Sequence, residues 1–266
     1  MRFAETAATG PAAVAGCPAW VQNPLTSRLA FMSGDLDLDA VFGGSSPGEA
    51  FAAVLTEARM VLGEIGGPLD AELWGSDILA ALGGAKSDAA TAIVPAAEAT
   101  GTAEALAILR VLAAVGWPDL RSAATQAADR VAARGLDEPA WGARIGAPAV
   151  GDCWRYGDDR GLQEAVTMSF SYGAEHHVVS LLVDHGFGGG IKDVWVGGAG
   201  DVLARTRAMA DHDPTMVFEM ISPADARTRV LRAIAAGECP SQPDEIGNVS
   251  SARAILRARV ALLPRE

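Results

Sequence analysis

Cysteine is scarce in this chain of 266 residues. The three cysteines, Cys17, Cys153 and Cys239, lie far apart, and their odd number excludes a framework in which every cysteine is paired in a disulfide. They also lack the close spacing of a zinc cluster. Because unpaired thiols are typical of a reducing compartment, we expect a cytoplasmic protein that folds without disulfides or a structural metal.

Positive charge and long apolar runs are scarce as well. Asp and Glu total 33 against 21 Lys and Arg, which gives a net charge of −12. This charge repels phosphate backbones and anionic bilayers, so we expect neither nucleic acid nor a membrane surface as a partner. The sequence also lacks an uninterrupted apolar stretch of about 20 residues, so a transmembrane helix is not expected.

The first half of the chain carries helical patterns. Residues 1–44 show no sustained period and are predicted to be an irregular lead-in, followed by a helical domain at 45–138. The run Ser46-Pro47-Gly48-Glu49 matches a capping box with proline at the first helical position, and apolar residues then recur at helical spacing. Further helices are predicted near 69–82, 103–115 and 119–134, whereas 84–101 contains Pro95 and has a weaker helical pattern.

The second half changes to a two-residue period. Alternating or apolar runs at 166–172, 178–183 and 191–196 are joined by short segments that contain glycine, which is typical of an antiparallel meander. A further strand is predicted at 216–221, and helices at 201–210, after Ser222-Pro223 and at 251–263. We therefore predict an α+β fold: a helical N-terminal half and a domain at 150–266 with an antiparallel sheet of about three to four strands flanked by helices.

Two short motifs resemble functional signatures but fail on physical grounds. Gly44-Ser45-Ser46-Pro47-Gly48 matches the serine hydrolase string, yet Pro47 has no N–H to offer an oxyanion, and the capping box explains the residues better. The glycines of 186–190 lead into a strand rather than a helix, which favours a hairpin loop over a dinucleotide loop. Neither lysine, Lys86 or Lys192, has a phosphate-loop context. No cofactor is therefore predicted.

Histidine is concentrated in the sheet region. All four histidines lie in the C-terminal half, and His176, His177 and His185 fall within ten residues. If 176–185 is one straight strand, its ends lie about 30 Å apart, so His176 and His185 cannot bind one ion. His176 and His177 point to opposite faces of such a strand, which disfavours a metal site at this end.

The other end of the same strand has the richer chemistry. Asp184, His185, Lys192 and Asp193 flank the glycine-rich loop, and pairing of the first two strands would bring Glu164 to the same edge. These four are the candidate catalytic residues: His185 as general base, Asp184 as the carboxylate that orients it, and Lys192 as the holder of an anionic group. In the structural alternative, Asp184 caps a turn, His185 is a surface residue and Lys192 pairs with Asp184 across the hairpin.

Two functions fit these observations. The first is a soluble intracellular interaction or regulatory protein, with a protein partner or a second copy of the chain, because every catalytic motif tested fails. The second is a hydrolase or lyase that uses acid/base chemistry on a small substrate at the edge formed by Asp184, His185, Lys192 and Asp193. A structure that shows whether a pocket opens beside the glycine-rich loop distinguishes the two most directly.

Overall fold

Five helices occupy the described part of the first half of the chain. The computed structural model describes residues 46–83, 88–238 and 246–265, so the predicted lead-in at 1–44 lies outside the described residues. The helices are α1 (Pro47–Val61), α2 (Pro68–Ala81), α3 (Asp88–Thr100), α4 (Ala103–Val115) and α5 (Pro118–Ala132). Ser46 forms the predicted capping box: its N–H donates to Glu49 Oε2 at 2.7 Å, and its side chain accepts from the Glu49 N–H. The segment that contains Pro95 is helical as α3, although its sequence pattern is weak.

The helices share one apolar core centred on α4. Nearly every apolar residue of α4 is buried, because neighbours pack on several of its faces. Gly75 of α2 lies directly against this helix: a Cβ atom built on it would be only 2.9 Å from Val111 Cβ. The absence of a side chain at Gly75 therefore sets how closely α2 and α4 approach.

The second half contains a five-stranded antiparallel sheet. Its strands are β1 (Ala149–Asp158), β2 (Gln163–Tyr172), β3 (Glu175–Asp184), β4 (Gly190–Gly198) and β5 (Met216–Ile221), in the order β4-β3-β2-β1-β5. The predicted α+β class and antiparallel meander are confirmed, with one strand more than the expected three to four. The additional strand is β1, in which apolar and polar residues do not alternate and the register shifts between Val150 and Cys153.

Three further helices flank the sheet. They are α6 (Ala199–His212), α7 (Pro223–Ala236) and α8 (Ile246–Leu262). One face of the sheet forms a second apolar core with α7 and α8, through residues such as Met168, Leu181, Val230 and Ile255. We call this the covered face. The opposite face, which we call the open face, carries Tyr156, Leu182, Met216 and Phe218 and is crossed by α6.

Helix α8 links the two halves of the chain. It packs against α2 of the helical array as well as against β4, and its Ala254 contacts the first core whereas Ile255 belongs to the second. The domain boundaries at 45–138 and 150–266 remain predictions. Within the residues that the structure describes, no helix is long and apolar enough to cross a membrane.

Candidate functional site

A pocket of about 460 Å³ opens on the open face, at the end of the sheet where β3 leads into the glycine-rich loop. Leu182, Ala165, Tyr156 and Phe218 occupy neighbouring positions across four strands and form one row of this face. The pocket is lined by residues from four strands and two loops: Tyr156, Gly157, Asp158, Leu162, Gln163, Glu164, Leu182, Asp184, Gly186, Phe187 and Met216. Its largest side chains are apolar or aromatic.

The glycine-rich loop places an aromatic ring at the mouth of this pocket. A short 3-10 turn spans His185–Phe187, and Gly188 and Gly189 follow with φ angles of 85° and 77°. These values are accessible mainly to glycine, so the loop reverses tightly and leaves the Phe187 side chain 73% exposed. Leu162, in the loop between β1 and β2, is 54% exposed and also lines the pocket.

Asp158 and Asp184, two of the pocket carboxylates, already have partners within the chain. Asp158 accepts backbone N–H groups of Arg160, Leu162 and Gln163 at 2.7 to 3.1 Å, and these hydrogen bonds lower its pKa. Asp184 is buried, and its Oδ2 accepts from Gln163 Nε2 at 2.7 Å. Asp158 therefore holds the loop between β1 and β2 in place, whereas Asp184 joins β3 to β2 and does not cap the turn that follows it.

His185 contacts Glu164 rather than Asp184. Its Nε2 lies 3.2 Å from Glu164 Oε1, while Glu164 Oε2 accepts from Arg155 Nε at 2.9 Å and from Arg229 Nη1 at 2.8 Å. Because neighbouring strand residues alternate, the side chains of Glu164 and Asp184 lie on opposite faces of the sheet. The carboxylate placed to orient the imidazole is thus Glu164, which pairing of β2 with β3 brings to this edge.

The other two predicted site residues occupy different surroundings. Lys192 Nζ lies 4.0 Å from Asp184 Oδ2, as the structural alternative for this edge requires. Asp193 pairs in register with Leu182, and its Oδ1 accepts the backbone N–H of Val194 at 2.8 Å. The structure thus brings Lys192 to Asp184 and places His185 against Glu164. The role of all four as catalytic residues remains a prediction.

Sequence reasoning did not identify the apolar wall of this pocket. Met216 lies far along the chain from Tyr156 and Leu162, and it meets them only because β5 returns to pair with β1. Among these apolar residues, the sequence itself marks Phe187 as exposed, since a large aromatic residue inside a glycine-rich turn has few neighbours to bury it.

The opposite end of β3 holds a buried polar cluster instead of a pocket. His177, Glu72, Arg259 and Tyr172 are all buried there, and Arg259 donates to Glu72 Oε1 at 2.9 Å and to Glu72 Oε2 at 2.5 Å. The Tyr172 hydroxyl donates to Glu72 Oε1 at 2.8 Å and accepts the Gly146 N–H at 3.0 Å. We call these four residues the buried cluster. It joins α2 and α8 to the sheet.

His177 is held neutral within the buried cluster. Its Nε2 accepts from Arg259 Nε at 3.2 Å, and its ring stacks on Tyr172 with centroids 5.9 Å apart. Burial, together with the charge of Arg259, lowers the pKa of His177 to about 3. His176 is exposed on the other side of the strand, so these adjacent histidines do not converge, as expected for a strand.

We expect His177 to make the protein less stable as the pH falls. Between about pH 6.5 and pH 3, the unfolded chain binds a proton at this position that the folded chain does not, so the free energy of unfolding rises with pH. In His177→Gln, whose amide oxygen can still accept from Arg259, this contribution disappears. When the free energy of unfolding is measured with urea between pH 4 and pH 6, its rise per pH unit in the variant should be smaller than in the wild type by about 1.4 kcal/mol. An unchanged slope would contradict a neutral buried imidazole.

The described residues offer little support for thiol or metal chemistry. Cys153 is fully buried, and burial followed by the charge of Asp152 raises the pKa of its thiol to about 11, which opposes formation of a thiolate. Among the residues that the structure describes, no group of three or more His, Cys, Asp or Glu side chains is arranged to hold a metal ion.

Comparison with known proteins gives no relative for this chain. No protein-family model, curated protein or solved structure matches it.

Proposed function

We propose that the protein is a non-enzymatic interaction module of the cytoplasm. Its pocket on the open face would accept an apolar side chain of a protein partner. The observation that carries the proposal is the apolar lining of this pocket beside Phe187, which is the most exposed of its large apolar residues. Exposed apolar residues next to a concave site are typical of binding surfaces.

The charged groups at the pocket support recognition rather than chemistry. Asp158 is engaged by three backbone N–H groups, Asp184 by Gln163 and Lys192, and Glu164 by two arginines. A carboxylate held in this way has to give up hydrogen bonds before it can accept a proton from a substrate. An apolar group entering the pocket leaves these bonds in place.

One contact supports a second candidate, a hydrolase or lyase at the same edge. The His185 side chain is 42% exposed, and Glu164 stands behind its ring in the position of an orienting carboxylate. This version predicts turnover of small chromogenic esters that is lost in His185→Gln. Turnover of this kind would favour the enzyme over the interaction module.

The interaction module predicts that the pocket binds a neutral apolar probe. N-phenyl-1-naphthylamine fluoresces more strongly in apolar surroundings, and we expect saturable binding with a Kd on the order of 100 μM. In Phe187→Ala the Kd should rise about tenfold, because one wall of the site is truncated. Since Phe187 is exposed, the substitution should leave the unfolding midpoint nearly unchanged.

Met60→Ala is the matched control for this titration. Met60 is 55% exposed on α1, outside the pocket, so removing it tests whether the probe merely adheres to surface apolar groups. Its Kd should equal that of the wild type. Equal affinities of the wild type and Phe187→Ala, or equal losses in the two variants, would rule out the pocket as the binding site.

A further inference from the structure

Strand β5 ends the sheet on the side away from β4. Among the described strands it pairs only with β1, so its outer row of backbone N–H and C=O groups faces away from the sheet. Two of its apolar residues are also exposed to solvent, Val217 by 37% and Met220 by 66%. An edge strand of this kind is a template on which another strand can pair.

The sequence of β5 fits a second copy of itself. When a two-fold axis relates two identical antiparallel strands, facing residues lie on the same face of the sheet. One residue must then face its own copy across the axis, and the register is centred on that residue. Only registers centred on Phe218 or on Glu219 pair five residues of the strand with five of its copy. Centring on Glu219 would place two carboxylates opposite each other, which is unfavourable.

The register centred on Phe218 removes this repulsion. It places Phe218 opposite its own copy, Met216 opposite Met220 of the second chain, and Val217 opposite Glu219. Phe218 and both methionines then lie together on the open face, where cross-strand apolar pairs stabilise a sheet. Glu219 keeps its hydrogen bond from Arg155 Nη1, at 3.0 Å, within its own chain.

We propose that two copies of this chain pair through β5 in the register centred on Phe218, which joins their sheets into one continuous sheet of ten strands. The ladder would contain about four to six backbone hydrogen bonds. Because Met216 lines the pocket, Met220 of the second copy would stand beside the pocket on the open face. This association does not depend on what the pocket binds.

Two substitutions at Val217 test the register. Val217→Glu places a carboxylate opposite Glu219 of the other copy, and the symmetric dimer contains this repulsive pair twice. We therefore expect the dissociation constant of the dimer to rise about tenfold. Val217→Lys places a cation at the same positions, so this dimer should be as tight as that of the wild type or tighter. Sedimentation equilibrium over a wide concentration range measures the dimer dissociation constant of the wild type and of both variants.

Met60→Glu and Met60→Lys control for the change in net charge, because Met60 is exposed and lies on α1, away from the strand. Both should dissociate like the wild type. Circular dichroism of every variant checks that the fold is retained. A wild-type protein that stays monomeric into the millimolar range would overturn the proposal. So would a Val217→Glu effect no larger than that of Met60→Glu, or a Val217→Lys dimer as weak as that of Val217→Glu.

Discussion

Replacing Arg259 by Met should lower the free energy of unfolding by about 3–5 kcal/mol. Arg259 is 1% exposed, and it donates two hydrogen bonds to Glu72, which is itself fully buried. Methionine fills much of the arginine volume but leaves the Glu72 carboxylate without a cation. Removing one partner of a buried ion pair is costly because the other charge stays desolvated. Urea unfolding monitored by far-UV circular dichroism measures the loss.

The exposed pair of Arg130 and Glu98 provides the matched control. Arg130 Nε donates to Glu98 Oε1 at 2.6 Å, but the arginine side chain is 55% exposed. Water therefore solvates both charges when the pair is broken, and Arg130→Met should cost less than about 1 kcal/mol. Adding Glu72→Gln to Arg259→Met should recover part of the loss, since the stranded charge is then removed. Equal costs for the two arginine substitutions would contradict a stabilising role of the buried cluster.

The second large effect is expected at Gly75, where alanine should destabilise the protein by about 1–2 kcal/mol net. Alanine favours a helix by about 1 kcal/mol over glycine, so the cost of crowding at this position must exceed that gain for the variant to be less stable. It does so because the new Cβ would lie 2.9 Å from Val111 Cβ and 3.1 Å from Val115 Cγ2. Both valines are buried and branched at Cβ, and neither can rotate away freely. Helices α2 and α4 must then move apart.

Gly48 allows the same substitution without this crowding. It lies in the first turn of α1, is exposed, and a Cβ built there has no neighbour within 4 Å. Gly48→Ala should therefore raise the free energy of unfolding by a few tenths to about 1 kcal/mol. The two variants make one chemical change with opposite expected signs in the same urea experiment. Stabilisation by Gly75→Ala would show that the helices are not in close contact.

Local signals predicted most of the secondary structure. Ser46 and Ser222 each precede proline and cap a helix, and the alternation in 166–172 marks β2 because one face of that strand is buried. Strand β1 was not predicted because its apolar and polar residues do not alternate and its register shifts where Gly151 and Asp152 intervene. A strand held mainly by its neighbours leaves little periodicity to detect.

The candidate site was only partly accessible to the same reasoning. Pairing of the first two strands predicts that Glu164 reaches the edge beside Asp184, and the register confirms this position. The contact between Arg259 and Glu72 joins residues 187 apart in sequence, so local pattern carries no trace of it. The pocket likewise depends on the return of β5 to β1, which places Met216 beside Tyr156 only in the folded chain.

Methyl NMR of the methionines tests the recognition site most directly. Met216 lines the pocket, whereas Met60 is exposed on α1, so one spectrum contains both the reporter and its control. On titration with N-phenyl-1-naphthylamine, we predict that the Met216 methyl signal shifts in a saturable way, that the Met60 signal stays in place, and that Phe187→Ala suppresses the Met216 shift. A stationary Met216 signal at saturating probe would contradict the account.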